Sequence, residues 1–510
     1  MAVLRSRAAR DQTARSAPVH LADARHGNRA GRRPIGVSAD ESGFERSLAR
    51  IESASPADMR EQVELLRGAF GARPRPASTV DTSPDVGDGT DERLRREATA
   101  QFERVVAGAV ETDDDGYQWS FVSPAEEPGQ FTVRPTDESL YFGRCGIALL
   151  GAGLYEVTGE PRYRSFALQT VAPVREAIST GTAIPSVSHL GGTLGVGSVA
   201  YGLATVGDLL GDESVVSDGV RAAEFLTSDL IDSDRSYDVS DGAAGTILGL
   251  LGAYDRLESP ELLAKAVECG DHLLDSRVGT DGGFRVWKGA DDHPPLTGFS
   301  HGMAGIAYSL GRLADATGDD AYREAAIEAV EYESRAYDES VGNWEDYRQA
   351  GNPYPNRWCY GRAGIGLARL GMAEYVDADV VERGIDRAVS AASADEPSGL
   401  DHLCCGNAGR AEFLLEAAGR RGRCVGEAGR LLRCRLRDGP DAGTRGRCVG
   451  EAGRLLGAVL SRKEETGHYR TVAKTGAVLQ PTLYHGVSGI AYSMLRATAP
   501  DELPCLPLWE

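Results

Sequence analysis

The 510-residue chain has no apolar run of membrane-spanning length. Its longest uncharged stretch, Leu190 to Gly207, is broken by five glycines, ends on a sixth and reads as a buried helix. The first 36 residues are rich in arginine but lack an apolar core, so they do not read as a secretory signal. Basic charge is also short. With 55 Lys and Arg against 76 Asp and Glu, a net charge of −21 and a pI near 5.0, the chain lacks the basic face that nucleic-acid binding needs. Lysine occurs only at 265, 288, 463 and 474, leaving arginine to carry the positive charge, a balance that fits a high-salt, G+C-rich source. The nine cysteines are odd in number and irregularly spaced, which argues against a secreted disulfide framework and for a reducing cytoplasm.

What remains is ample material for a soluble core, with 41% hydrophobic residues and 63 glycines that follow no collagen-like period. Residues 1–93 read as mostly disordered. Within them, Leu48, Ile51, Met59, Val63, Leu65 and Leu66 predict one or two short helices over about 44–70. The Pro-, Ser- and Asp-rich stretch 72–91 reads as a linker.

From about residue 94 to 510 the chain repeats itself. Seven segments have the form G-x-x-G followed by a small-residue, aliphatic helix, at Gly143, Gly192, Gly242, Gly302, Gly361, Gly406 and Gly486. Between them lie amphipathic stretches such as Asp320 to Tyr337, whose apolar stripe is Ala325, Ile327, Val330 and Ala336. Helices apolar all round suit an inner layer, and amphipathic ones an outer layer. The expectation is all-α: an α/α toroid of about seven inner and seven outer helices. The last interval between glycines, 80 residues, is an outlier among values of 45 to 60. R-G-R-C-V-G-E-A-G-R-L-L at 421–432 recurs identically at 445–456, so about 24 residues near 421–444 read as a tandem duplication; removing them restores an interval of 56.

Chemistry concentrates before two of these glycines. Cys359 lies two residues ahead of Gly361, and Cys404 and Cys405 two and one ahead of Gly406. If the repeats are equivalent, all three enter neighbouring inner helices at one mouth of the ring. Soft thiolates select Zn²⁺, and three protein ligands leave an open position. The bland alternative is three small buried hydrophobes.

The motifs S-H-G-M-A-G-I at 300–306, W-C-Y-G-R-A-G-I-G at 358–366 and L-C-C-G-N-A-G at 403–409, set on a sevenfold repeat, resemble the lanthionine synthetase C-like (LanC-like) family. The double cysteine and the closing L-P-C-L-P-L-W-E are most similar to the C-terminal cyclase domain of class II (LanM-type) lanthipeptide synthetases with a three-cysteine zinc site. The resemblance implies a cyclase in which zinc activates a peptide cysteine for addition to dehydroalanine or dehydrobutyrine. It implies Cys359, Cys404 and Cys405 as metal ligands and a dehydrated precursor peptide as substrate. His301, just before Gly302, is the expected proton donor. Asp238 aligns with the family's active-site aspartate and would orient it, with Asp241 as runner-up. Tyr360 is placed to hydrogen-bond the enolate. Where nisin-type cyclases carry an arginine this chain has Pro355, with Arg357 nearby. His485, before Gly486, either lines the site or caps its helix. A full LanM enzyme also carries a dehydratase; residues 47–67 resemble the end of such a region, so a separate dehydratase is an expected partner. Competing readings are a glutathione-adding relative, another toroid hydrolase, and a non-catalytic zinc scaffold.

Overall fold

The computed structural model describes residues 90–510, apart from 113–115, 125–130, 290–292, 349–350, 393–395, 424–441 and 472–477. The short helices expected at about 44–70 lie outside the described residues, as does nearly all of the 72–91 linker and most of the duplicated 421–444 segment.

Seven inner helices run Arg144–Thr158, Val196–Leu210, Ala243–Tyr254, Met303–Thr317, Arg362–Met372, Asn407–Arg423 and Val487–Thr498. Each packs on the next, and the last packs back on the first, closing a ring. Outer helices Pro161–Thr180, Glu213–Ala222, Pro260–Asp275, Asp320–Ser334, Asp379–Ala392 and Ala442–Thr466 each follow an inner one and pack on it. The seventh outer place is filled from the other end of the repeat array, by Thr90–Ala107 against Val487–Thr498. That helix begins inside the stretch read as a linker. Its apolar stripe of Leu94, Ala98, Phe102 and Val105 is buried. The fold is an α/α toroid, with strands confined among the described residues to short hairpins, the largest pairing Ser120–Pro124 with Phe131–Pro135.

The G-x-x-G grammar has a steric cause. A Cβ at the second glycine would lie 1.8 to 2.1 Å from a carbonyl oxygen six residues earlier, at Gly146, Gly245, Gly305, Gly364, Gly409 and Gly489. The entry loop therefore folds down onto the first helical turn, and only glycine leaves room for it. The second repeat departs from the expected frame. Its helix starts at Val196, whose N–H donates to His189 O as Arg144, Met303, Asn407 and Val487 donate to residues seven back. The register is therefore Gly195, three residues later than Gly192. The run G-G-T-L-G-V-G offered several frames. Gly191 and Gly192 are used for something else, since a Cβ on either would strike the backbone of the third repeat.

The C-terminal residues enter the ring. Trp509 Nε1 donates to Gly192 O at 3.0 Å, Tyr308 OH to Leu508 O at 2.9 Å and Arg312 to Trp509 O at 3.0 Å. Trp509 stacks on Phe299, and Trp358 packs against Phe299, Tyr484 and Trp509. Trp509 thus joins Phe299 and Trp358 in an aromatic floor beneath Cys359, the residue after Trp358.

Candidate metal centre

The seven entry loops are laced together by their own backbones. Tyr141 N donates to Thr193 O, Gly192 N to Val239 O, Ser240 N to Ser300 O, Ser300 N to Cys359 O, Cys359 N to Cys404 O and Cys404 N to Tyr484 O, at 2.9 to 3.3 Å. Most of these residues stand two places before the N-terminal glycine of an inner helix. The belt fixes where the following side chains emerge, whatever those side chains are.

Local residues hold each loop. Asp401 accepts from Arg470 N at 2.8 Å and pairs with Arg462, while Asn407 Nδ2 donates to Leu400 O, setting the turn that carries Cys404 and Cys405. Asp234 accepts from Ser236 N and Ala243 N around Asp238. The fully buried Glu333, paired with Arg369, accepts from Gly298 N and Ala304 N on either side of His301. Two residues after Cys359, Gly361 has φ +90, and a Cβ there would fall 1.6 Å from Pro355 O.

On this frame the three cysteines meet. Cys359 Sγ lies 3.4 Å from Cys405 Sγ, which lies 3.5 Å from Cys404 Sγ, and all three sulfurs fall within 4.8 Å of one another. They are free thiols, with Cys359 and Cys404 each 4% exposed. Burial pushes the Cys359 thiol well up, and the two neighbouring thiols do the same to Cys404, whereas hydrogen bonds from both hold Cys405 well below its ordinary value. A bound divalent cation would offset the charge that three thiolates so close together would otherwise build up. This donor set fits a soft divalent metal.

Beside it, His301 Nδ1 lies 2.7 Å from Asp238 Oδ2. Burial lowers the proton affinity of His301, but the hydrogen bond and charge of Asp238 outweigh it, leaving the imidazole above its ordinary value. Asp238 also accepts from Asp241 N at 2.9 Å, so it braces its own loop as well. Tyr360 stacks on His301, ring centroids 5.8 Å apart. Burial drives its phenol above the ordinary value against the opposing charge of Arg348. All six residues singled out in the sequence therefore gather at one mouth of the ring.

Sequence reasoning missed two groups. Arg348, held by Asp346 at 3.0 and 2.6 Å, lies over the Tyr360 ring, 3.0 Å from its centroid; it brings a guanidinium to the mouth from a loop that carries no repeat signal. Tyr141 reaches the cysteines from the first repeat, where lining up the positions two before each helix glycine would have found it. Of the remaining histidines, His402 donates to or accepts from backbone and is pushed down to about 3 by burial and by His485. His485 Nε2 lies 2.8 Å from Tyr141 OH.

A family model described as lanthionine synthetase C-like protein matches residues 134–420. Among solved structures the chain is similar to nisin cyclase, at 16% identity and TM-score 0.50, over 83% of this chain and 98% of that one. It also matches an unsaturated glucuronyl hydrolase from Bacillus sp. GL1 (16% identity, TM-score 0.41, covering 80% of this chain and 96% of that one). A third match is the GH76A alpha-1,6-mannanase from Salegentibacter sp. HEL1_6 (12%, 0.42, covering 80% and 100%). No curated protein sequence matches. At such identities the structural likeness speaks to the fold alone. The family match spans more than half of the chain and contains all three cysteine and histidine motifs: the chain belongs to the lanthionine synthetase C-like family.

Proposed function

We propose that the chain is a zinc-dependent lanthionine or methyllanthionine cyclase of the LanM-type, three-cysteine kind, acting on a dehydrated precursor peptide. The observation that carries this reading is the convergence of three buried free thiols with a His301–Asp238 pair at one mouth of a LanC-like ring. Cys359, Cys404 and Cys405 would hold the ion. When bound, zinc supplies the Lewis acidity that makes a peptide cysteine a thiolate near neutral pH.

The chain's own residues supply the rest. The aromatic cluster of Trp358, Phe299 and Trp509 packs beneath the sulfurs, so substrate enters from the mouth. Attack of the peptide sulfur on the β-carbon of a dehydroamino acid leaves an enolate, whose α-carbon needs a proton. His301, kept protonated by Asp238, donates it, and Tyr360 hydrogen-bonds the enolate oxygen. Arg348, stacked on Tyr360, adds positive charge on the side where negative charge develops. The substrate must come from a dehydration of peptide serine or threonine, which we assign to a separate dehydratase acting in the cytoplasm before this step.

Metal analysis tests the centre: about one zinc per chain is expected, lost in the Cys404→Ala, Cys405→Ala double variant. A wild-type chain free of zinc removes the mechanism. Incubation with a dehydrated, cysteine-containing peptide should consume thiols at unchanged peptide mass. Thiols that remain alkylatable in the presence of a zinc-loaded chain would favour the non-catalytic scaffold.

A further inference from the structure

Around the ring, Cys359 belongs to the fifth repeat and Cys404–Cys405 to the sixth. On one flank stand His301 of the fourth repeat and Asp238 of the third, 2.7 Å apart. The other flank mirrors it with His485 of the seventh repeat and Tyr141 of the first, 2.8 Å apart. Both histidines occupy the place just before a helix glycine. The first pair has a role in the proposed reaction and the second has none.

The backbone amides of the three cysteines are spent elsewhere: Cys359 N donates to Cys404 O, Cys404 N to Tyr484 O and Cys405 N to His402 Nδ1. None of these N–H groups is directed at a ligand sulfur. Three thiolates on a divalent ion carry a net negative charge, which repels the fourth, incoming sulfur unless hydrogen bonds draw some of it away. Donors must therefore come from side chains. Tyr141 is held in place by flat stacking on Tyr484, centroids 4.8 Å apart and planes 4° apart, and by its own N–H in the rim belt. His485 packs edge-on against Tyr141 and His402, and its ring nitrogen and the Cys405 sulfur belong to one cluster within 4.8 Å.

We propose that His485 and Tyr141 are outer-sphere positioning residues, His485 donating a hydrogen bond to the Cys405 thiolate and Tyr141 fixing the tautomer that lets it do so, leaving the bound metal acidic enough to take a fourth sulfur. The inference rests on the metal reading above. One arrangement uses each proton once: the Tyr141 O–H donates to Nε2 of His485, whose other ring N–H turns to Cys405.

Cobalt-loaded full-length chain provides the test. Tyr141→Phe and His485→Gln should each shift the sulfur-to-cobalt charge-transfer band to lower energy at unchanged metal stoichiometry. They should also lower kcat roughly 10- to 100-fold with little change in KM. Phe142→Leu, which loses packing on His485 but no donor, should leave the band in place. A loaded wild type whose band is unmoved in both variants overturns this inference alone, as does a Phe142→Leu shift equal to that of Tyr141→Phe. A wild type that takes up no cobalt or zinc overturns the metal reading and this inference with it.

Discussion

The two ends of the inner ring are held in opposite ways. At the mouth, backbone N–H and C=O groups bond loop to loop, so the side chains that follow are free to be thiols, imidazoles and phenols. At the far end, side chains carry the structure. Arg496 bridges Glu412 at 2.6 Å and Glu416; Arg420 joins Glu416 at 2.8 Å to Glu510; and Arg312 pairs with Asp255. The difference shows how a repeat fold makes room for chemistry: at the mouth the main chain joins loop to loop, with buried pairs such as Glu333–Arg369 and Asp401–Arg462 bracing the individual loops, whereas at the far end buried charges themselves make the links.

The largest expected effect lies at the far end. Arg496→Met strands Glu412 without its cation, leaving Glu416 with Arg420 alone, and should cost about 3–5 kcal/mol in denaturant unfolding, with metal uptake by the remaining folded chain unchanged. Loss of metal in that folded fraction would blur the division. Next comes the mouth's backbone. Gly361→Ala forces a Cβ onto Pro355 O at φ +90 and should cost about 2–3 kcal/mol, and here metal affinity should fall too, because the loop carries Cys359.

The smallest effect concerns a mouth side chain. His301 is held above its ordinary value in the folded state, so its pairing with Asp238 contributes stability that is fully present below the unfolded pKa of about 6.5 and is lost as pH rises through the folded value. The proposed acid should fail over the same upper window. Asp238→Asn should move the alkaline limb of the cyclisation profile to lower pH and cut kcat about tenfold, with little change in unfolding midpoint at pH 8. An unmoved limb would detach His301 from the proton step.

Much of this architecture is legible in the sequence because the steric demand behind G-x-x-G is local: a carbonyl six residues back excludes a side chain, and the pattern recurs wherever the turn does. The meeting of Cys359 with Cys404 and Cys405 follows from the equivalence of their repeats. Where glycine serves two purposes the signal degrades, as in the second repeat, whose Gly191 and Gly192 make way for a neighbouring backbone. Arg348 lies on a loop that obeys no period. Thr90–Ala107 fills the seventh outer place because of ring closure, a property of the whole and not of the segment. Tyr141 was hidden by chemistry, since a tyrosine before a glycine suggests packing until its neighbours are known.

The aromatic floor also constrains the order of assembly. Trp509 meets Gly192 across 317 positions of sequence, and Tyr201 meets Glu510 across 309. Contacts of such separation form late in folding. Until they form, the Cys359 loop lacks its underside and the three thiols face solvent from below, where stray oxidants and metals have access. Refolding in the presence of a thiol reductant should therefore recover more active chain than refolding without it, even though the finished protein has no disulfide among its described cysteines.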